Sequence, residues 1–253
     1  MKMLFPLLLS LLFVDFSFLK DTKVIRPDLE EDLIAYYSFN HCDARDESGN
    51  DSDGMLYGRT SCWCGVQGEG LQLNGQTDYI EFPGRINAAF NTTDFTISFY
   101  VKADQYSIFE QSLFSKRADC DSLYQMLDIR LDMRQREIIT EVYEYPEKYY
   151  PGLTPETEGI GWVHYALVRN GTWAYTYVNG VLQNESRKCS GVDISNDAVL
   201  SFSNSPCVQN GKARRFKGIL DELRVYEKAL TEEEIWKLYM QNPIENANDD
   251  CLT

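Results

Sequence analysis

The chain has 253 residues and carries 39 Asp and Glu against 24 Lys and Arg, a net charge of −15. A surface this acidic repels phosphate backbones and anionic lipids, which argues against nucleic acid or a bare membrane as a partner. With 43% apolar residues, the chain can bury the core of one large all-β domain.

In chain order, Lys2 precedes an apolar stretch from Met3 to Val14 that has the pattern of a secretory signal and is broken at Asp15. A bilayer span needs about 20 apolar residues, so residues 1–20 are assigned as a signal peptide and no transmembrane segment is expected. Residues 21–32 form a charged linker, 33–240 one domain, and 241–253 a polar, flexible tail. Such a protein is expected to be secreted or at the cell surface.

Short runs with β alternation follow from Leu33: LIAYYSF, GLQLNG, YIEF, FTISFYVK, REIITEVY, WVHYALV, WAYTYV, LSFS and LRVY. Asn179-Gly180 lies between two of them and supplies the positive φ angles of a two-residue hairpin turn. Near the end, Thr231 with Glu234 makes a capping box, Glu232 and Glu233 suit the helix dipole, and Ile235, Trp236, Leu238 and Tyr239 supply an apolar face. Pro243 stops that helix. Trp162, Trp173 and Trp236 are expected in the core; Trp63 has no assigned place.

Seven cysteines occur, and an exported protein usually pairs them. Cys42, Cys62, Cys64, Cys120, Cys189 and Cys207 are the disulfide candidates, with Cys189–Cys207 a plausible local staple. The odd one out is expected to be Cys251, free or bonded to another chain. Zinc is not supported, because His41 and His164 are the only imidazoles and no C-x-x-C occurs. Asn50, Asn91, Asn170 and Asn184 head N-x-S/T sequons in expected loops or turns, and are candidate glycosylation sites.

Several blocks in order, AYYSFN, DARDESGNDSDG, GEGLQLNGQTDYIEF, FTISFYVKA, WVHYALVRNGTWAYTYVNG and FKGILDELRVYEKALTEEEI, resemble the laminin G-like jelly-roll domains of the concanavalin A-like lectin/glucanase superfamily. The resemblance implies an all-β, two-sheet antiparallel jelly-roll sandwich with one short C-terminal helix. It also implies a structural calcium held by Asp221, with Asn40 standing where an acidic residue is common and Gly70 offering a carbonyl; hard oxygens of this kind suit calcium. The other reading of Asp221 is a carboxylate that only caps or pairs at a strand end. Asp43, Asp46, Asp51 and Asp53 cluster without EF-hand spacing, and are read as turn chemistry.

Retaining glycoside hydrolysis needs two carboxyl groups on one face about 5 Å apart, and the E-x-D-x-x-E pattern of the glucanase branch is missing. The nearest imitations are Asp128 with Asp132 and Glu141 with Glu144; no catalytic residue is assigned. Binding is better represented. Tyr143, Tyr145, Tyr149 and Tyr150 crowd into EVYEYPEKYYPG together with Pro146 and Pro151, which stiffen the loop, and exposed tyrosine rings can stack on a pyranose. The alternative is that they merely cover a sheet end. The expectation is a non-catalytic recognition or adhesion module for an extracellular glycan or glycoprotein. A degenerate glycoside hydrolase and a structural module of a cell-surface assembly are the competing readings.

Overall fold

The computed structural model describes residues 29–104, 106–157 and 161–247. The signal segment, residues 21–28 of the linker and the end of the tail with Cys251 lie outside the described residues. Sixteen strands are described. The first eight are β1 (Leu33–Tyr37), β2 (Met55–Tyr57), β3 (Ser61–Cys64), β4 (Glu69–Asn74), β5 (Tyr79–Phe82), β6 (Phe95–Ala103), β7 (Gln111–Lys116) and β8 (Met126–Asp132). There follow β9 (Glu137–Tyr145), β10 (Lys148–Tyr149), β11 (Trp162–Asn170), β12 (Trp173–Val178), β13 (Val181–Arg187), β14 (Leu200–Phe202), β15 (Arg214–Arg215) and β16 (Lys217–Tyr226). Helical turns α1 (Arg85–Ala88) and α2 (Pro206–Gln209) are single, and α3 (Glu232–Tyr239) is the one short C-terminal helix.

The strands form two sheets. The first runs β13-β12-β11-β6-β16-β4-β3, with β1 also on β16, and the second runs β10-β9-β8-β7-β14-β5-β2. All pairings are antiparallel except the two-residue β15, which lies parallel to β7. Period-2 alternation sends Leu127, Ile129, Leu131, Ile138 and Val142 inward from the second sheet. They meet Ile97, Phe99, Val101, Tyr165 and Leu167 of the first. Rings connect the two inner faces: Phe99 lies 4.8 Å from Phe114 and 5.3 Å from Tyr165 between centroids. This is a jelly-roll sandwich, as the sequence pattern implies.

The turn chemistry holds residue by residue. Asn179 and Gly180 have φ of 50° and 75°, the left-handed pair of a two-residue hairpin. Asp46 accepts backbone N–H groups from Tyr36, Ser48, Asn50 and Ser52, so it organises the DESGN turn instead of waiting for a metal. Thr231 and Glu234 form the reciprocal capping box of α3.

Helix α3 covers the outer face of the first sheet. Ile235 and Leu238 pack with Ala166, Val168, Tyr177 and Tyr226, and Tyr239 packs with Tyr100, Trp162 and Ile219. The expectation for Trp236 is corrected: it is 45% exposed, because the helix buries the neighbouring i, i+3, i+4 set of 235, 238 and 239. Trp162 is buried, Trp173 is half-buried under Arg187, and Trp63 is exposed. The described part of the tail is packed as well. A 3-10 turn at Ile244–Asn246 sets Ile244 and Ala247 against the Trp162–Tyr239 cluster, and Glu245 accepts from the Tyr239 hydroxyl at 2.9 Å.

The cysteine pairing differs from the expected staple. Cys42 bonds Cys62 and Cys120 bonds Cys207, Cys64 is also disulfide-bonded, and Cys189 is an exposed free thiol. Sequence proximity suggested Cys189–Cys207, but β14 and α2 carry Cys207 to the loop after β7, where Cys120 stands.

His164, in β11, is fully buried, with Nε2 2.8 Å from the Ser98 hydroxyl and its ring between Tyr100 and Tyr239. Burial, and then the Arg224 charge, push its pKa from 6.5 down to about 3. Between those values the unfolded chain binds the extra proton, so stability falls as pH falls through that window. His164→Gln removes this component. Melting temperatures from pH 7 to 4 should decline more steeply in the wild type than in the variant; parallel curves would contradict the assignment.

Candidate functional site

Because α3 occupies the outside of the first sheet, the outward face of the second is the broad strand surface left for contact. Alternation places Asp128, Arg130 and Asp132 of β8 on it, opposite the inward Leu127, Ile129 and Leu131. Asp128 registers with Ser115 of β7 and Glu141 of β9.

Asp128 is fully buried and lies between two guanidiniums. Arg117 reaches its Oδ2 at 3.1 Å and Arg130 donates to the same oxygen. Arg130 also binds Glu141 at 2.8 Å and Glu110 at 2.7 Å. Arg117 in turn donates to the carbonyls of Asp119, Cys120 and Ser122, tying the network to the Cys120–Cys207 crosslink. Oδ1 of Asp128 has no hydrogen-bond partner among the described residues, and a cleft of about 240 Å³ lies over Arg117, Arg130 and Glu141.

Asp132 does different work. It accepts from the backbone of Arg134 at 2.8 Å and pairs with the Arg134 guanidinium at 3.2 Å, capping the turn into β9. Burial opposes its charge, but Arg134 prevails and holds its carboxyl below the usual range. Glu144 accepts from Asp193 N at 2.8 Å and pairs with Lys148 at 2.5 Å. All four acids singled out in the sequence are thus engaged by cations or backbone donors. Arg117 and Arg130, the partners that decide this, were not singled out; the alternation of Asp and Arg in LDIRLD was the available signal.

The tyrosines divide. Tyr143 on β9 and Tyr149 on β10 are half-buried and stacked, with centroids 4.5 Å apart and planes 8° from parallel. Lys188 stands 5.6 Å over the Tyr149 ring, and Tyr145 is 39% exposed. Tyr150 does not join them: it is buried in the main core, with its hydroxyl donating to Gly171 O. Two tyrosines adjacent in sequence point to opposite faces of an extended chain, which accounts for the split.

The sequons also differ. Asn170 is exposed at the end of β11, whereas Asn184 lies within β13 and accepts from Thr176 Oγ1. The amides of Asn50 and Asn91 donate to Leu33 O and Ala88 O.

The three calcium candidates surround the loop at residues 65–70. Asp221 accepts from Gln67 N at 3.2 Å and Glu222 N at 2.9 Å, and a Cβ on Gly65 would stand 2.3 Å from its Oδ2. Asn40 Oδ1 accepts from Glu69 N at 2.8 Å. Gly70 pairs with Trp63 across β3 and β4. Burial, reinforced by the neighbouring Glu222 charge, pushes Asp221 up to about 8. Backbone donors and close-packed glycine occupy the positions facing these oxygens. The set therefore does not fit a resident divalent cation, which takes six to eight oxygens. It works as a hydrogen-bonded clasp that ties the segment after β1 and the middle of β16 to the loop. The nearest grouping of metal-binding residue types among the described residues, Cys42, Cys62 and Glu69, contains a formed disulfide.

Two curved layers of antiparallel strands, one backed by a helix and the other open, define a lectin-type jelly roll. The chain belongs to the concanavalin A-like lectin/glucanases superfamily, whose family model matches residues 74–236. It is similar to domain 4 of AbnA, a GH43 extracellular arabinanase from Geobacillus stearothermophilus solved with arabinotriose. That match has a TM-score of 0.61 and 23% identity over 82% of this chain and 98% of that one. It is also similar to the binding domain of Paraclostridial Mosquitocidal Protein 1, with a TM-score of 0.62, 19% identity, and coverage of 83% and 52%. The botulinum neurotoxin serotype D binding domain matches with a TM-score of 0.64, 13% identity, and coverage of 84% and 52%. The chain spans about half the length of these toxin domains, and at such identities the likeness is one of fold. No curated protein matches it in sequence.

If the clasp is made by hydrogen bonds, calcium and EDTA should give the same melting temperature, while Asp221→Ala should cost about 3 kcal/mol in denaturant unfolding. A melting temperature several degrees lower in EDTA would show that a metal is part of it.

Proposed function

We propose that the protein is a secreted, non-catalytic recognition module that binds an extracellular glycan or glycoprotein through the outward face of its second sheet. The observation that carries this reading is the stacked pair Tyr143–Tyr149 beside exposed Tyr145, on a face whose candidate acids are all engaged. In the stack each ring covers one face of the other and holds it rigid; the outer face of Tyr143 and the exposed Tyr145 ring are the apolar surfaces with polar edges that pack against the C–H face of a sugar ring. Disulfides support an oxidising, extracellular compartment. The arabinotriose complex of AbnA domain 4 supports a glycan as the ligand; function still resides in the site and not in the fold.

The test is a panel of neutral and charged glycans against the wild type, followed by Tyr143→Ala and Tyr149→Ala. Each variant should weaken the glycan that binds about 10-fold, the equivalent of about 1.4 kcal/mol and within the range of lost ring stacking. Unchanged affinity in both folded variants would remove the tyrosine face from the interface.

A further inference from the structure

A second cleft departs from the acidic character of the molecule. It encloses about 290 Å³ between the turn after β4, the segment before β7 and the β15–β16 strands, and Phe109, Gln111, Arg214, Arg215 and Lys217 line it. Lys217 pairs with Asp104 at 3.1 Å. The two arginines are different: neither reaches a carboxylate among the described residues. Arg214 donates to the Gly211 carbonyl at 3.2 Å and lies 4.3 Å over the Phe109 ring. Arg215 donates to Ser203 O at 2.9 Å and Asn204 Oδ1 at 3.2 Å, and lies 4.4 Å over the Tyr79 ring. In a chain with 39 acidic residues, two adjacent guanidiniums that form no ion pair among the described residues, with the Asp78 charge acting on Arg215 only at longer range, are a local excess of positive charge.

Gln111 adds a second, independent observation. It is 3% exposed, and its Oε1 accepts from Lys217 N at 2.9 Å, which fixes the orientation of the amide. Its Nε2 is left with no hydrogen-bond partner among the described residues. A buried unsatisfied N–H costs about 1–3 kcal/mol, so a ligand that accepts from it gains where the free protein loses. Asn74 Oδ1 is already used, accepting from Gln76 N and Thr77 N at 2.8 and 2.9 Å, and the Ser107 hydroxyl is used by Phe109 O and N. Besides the Gln76 amide, which offers a donor and an acceptor, the side chains left to a ligand are the donors of Arg214, Arg215 and Gln111. Phe109, which lines the cleft, is 46% exposed and gives it an apolar wall beside the cations.

We propose that this cleft is a second binding site, for a glycan bearing a carboxylate or a sulfate ester. The anionic group sits between Arg214, Arg215 and the Gln111 amide, and the sugar ring rests against Phe109. Guanidinium groups favour planar or tetrahedral oxyanions through paired N–H donors. The site lies away from the tyrosines: Gln111 registers with Leu131 at one end of β8, and Tyr143 with Met126 at the other. It rests on the recognition reading only in taking a glycan as the carrier of the charge.

The experiment titrates the full chain with an oligogalacturonate, a sulfated galactan oligomer and neutral maltohexaose, then repeats it with Arg214→Ala and Gln111→Glu. Gln111→Glu keeps the acceptor for Lys217 N and replaces the orphan donor with a negative oxygen. At least one anionic probe should bind and maltohexaose should not compete with it. Each variant should weaken that binding 10-fold or more, and raising NaCl should weaken it further. The oligogalacturonate and sulfated arms tell carboxylate from sulfate. Arg214 is exposed, so Arg214→Ala keeps the test valid if Gln111→Glu fails to fold. Absence of binding by both anionic probes at millimolar concentration, equal competition by maltohexaose, or unchanged affinity in a folded variant would overturn the proposal. Loss of neutral-glycan binding in the tyrosine variants bears on the first reading alone.

Discussion

Arg117 and Arg130 converge on Asp128 near the middle of the second sheet, and much of the surface chemistry follows from that contact. Removing these charges from water costs several kcal/mol per ion, which is offset only when the geometry is good and the remaining donors are satisfied. Here Arg117 spends its other donors on three carbonyls of the loop that carries Cys120, and Arg130 on Glu141 and Glu110. The same contact therefore anchors the β7–β8 connection, lines up β8 with β9, and engages the carboxylates of Asp128 and Glu141 on this face. A buried pair of this kind is weak support for stability, and its part here is to specify one arrangement of the face.

The two sheets have separate roles because only one of them is backed. The first spends its outer face on α3, where Ile235, Leu238 and Tyr239 are buried, and on the 3-10 turn that follows. The second keeps its outer face for solvent, with the Tyr143–Tyr149 stack at one end of β8, while the arginine cleft lies beyond the other end, between β7, β15 and the β4 and β16 strands of the first sheet. The clasp of Asn40 and Asp221 on residues 65–70 steadies the edge away from both.

Much of the architecture was legible in the sequence because it rests on local rules. Strand alternation, the left-handed Asn179-Gly180 pair and the Thr231–Glu234 capping box each involve residues within a few positions of one another. The features that escaped depend on distance along the chain. Cys120 meets Cys207 across 87 residues, and no spacing rule announces such a pair. Tyr150 is buried while Tyr149 is not because neighbours in an extended chain face opposite ways, and which of the two faces the core is set by how β10 returns along β9. Asp221 accepts from Glu222 N beside it and also from Gln67 N, 154 positions earlier, a contact that no local rule announces. The arginine cleft had a local signal in Arg214-Arg215, but its meaning depends on Gln111, which reaches the site from β7.

The central claim is that the outward face of the second sheet binds a ligand and leaves its covalent structure unchanged. The most direct measurement is mass spectrometry of a bound oligosaccharide recovered after long incubation with stoichiometric protein. The account predicts that the oligosaccharide is retained with the protein and returned intact. Recovery of shortened products, with cleavage lost in Asp128→Asn, would contradict it and would make the Arg117–Asp128–Arg130 cluster the resting state of an active site.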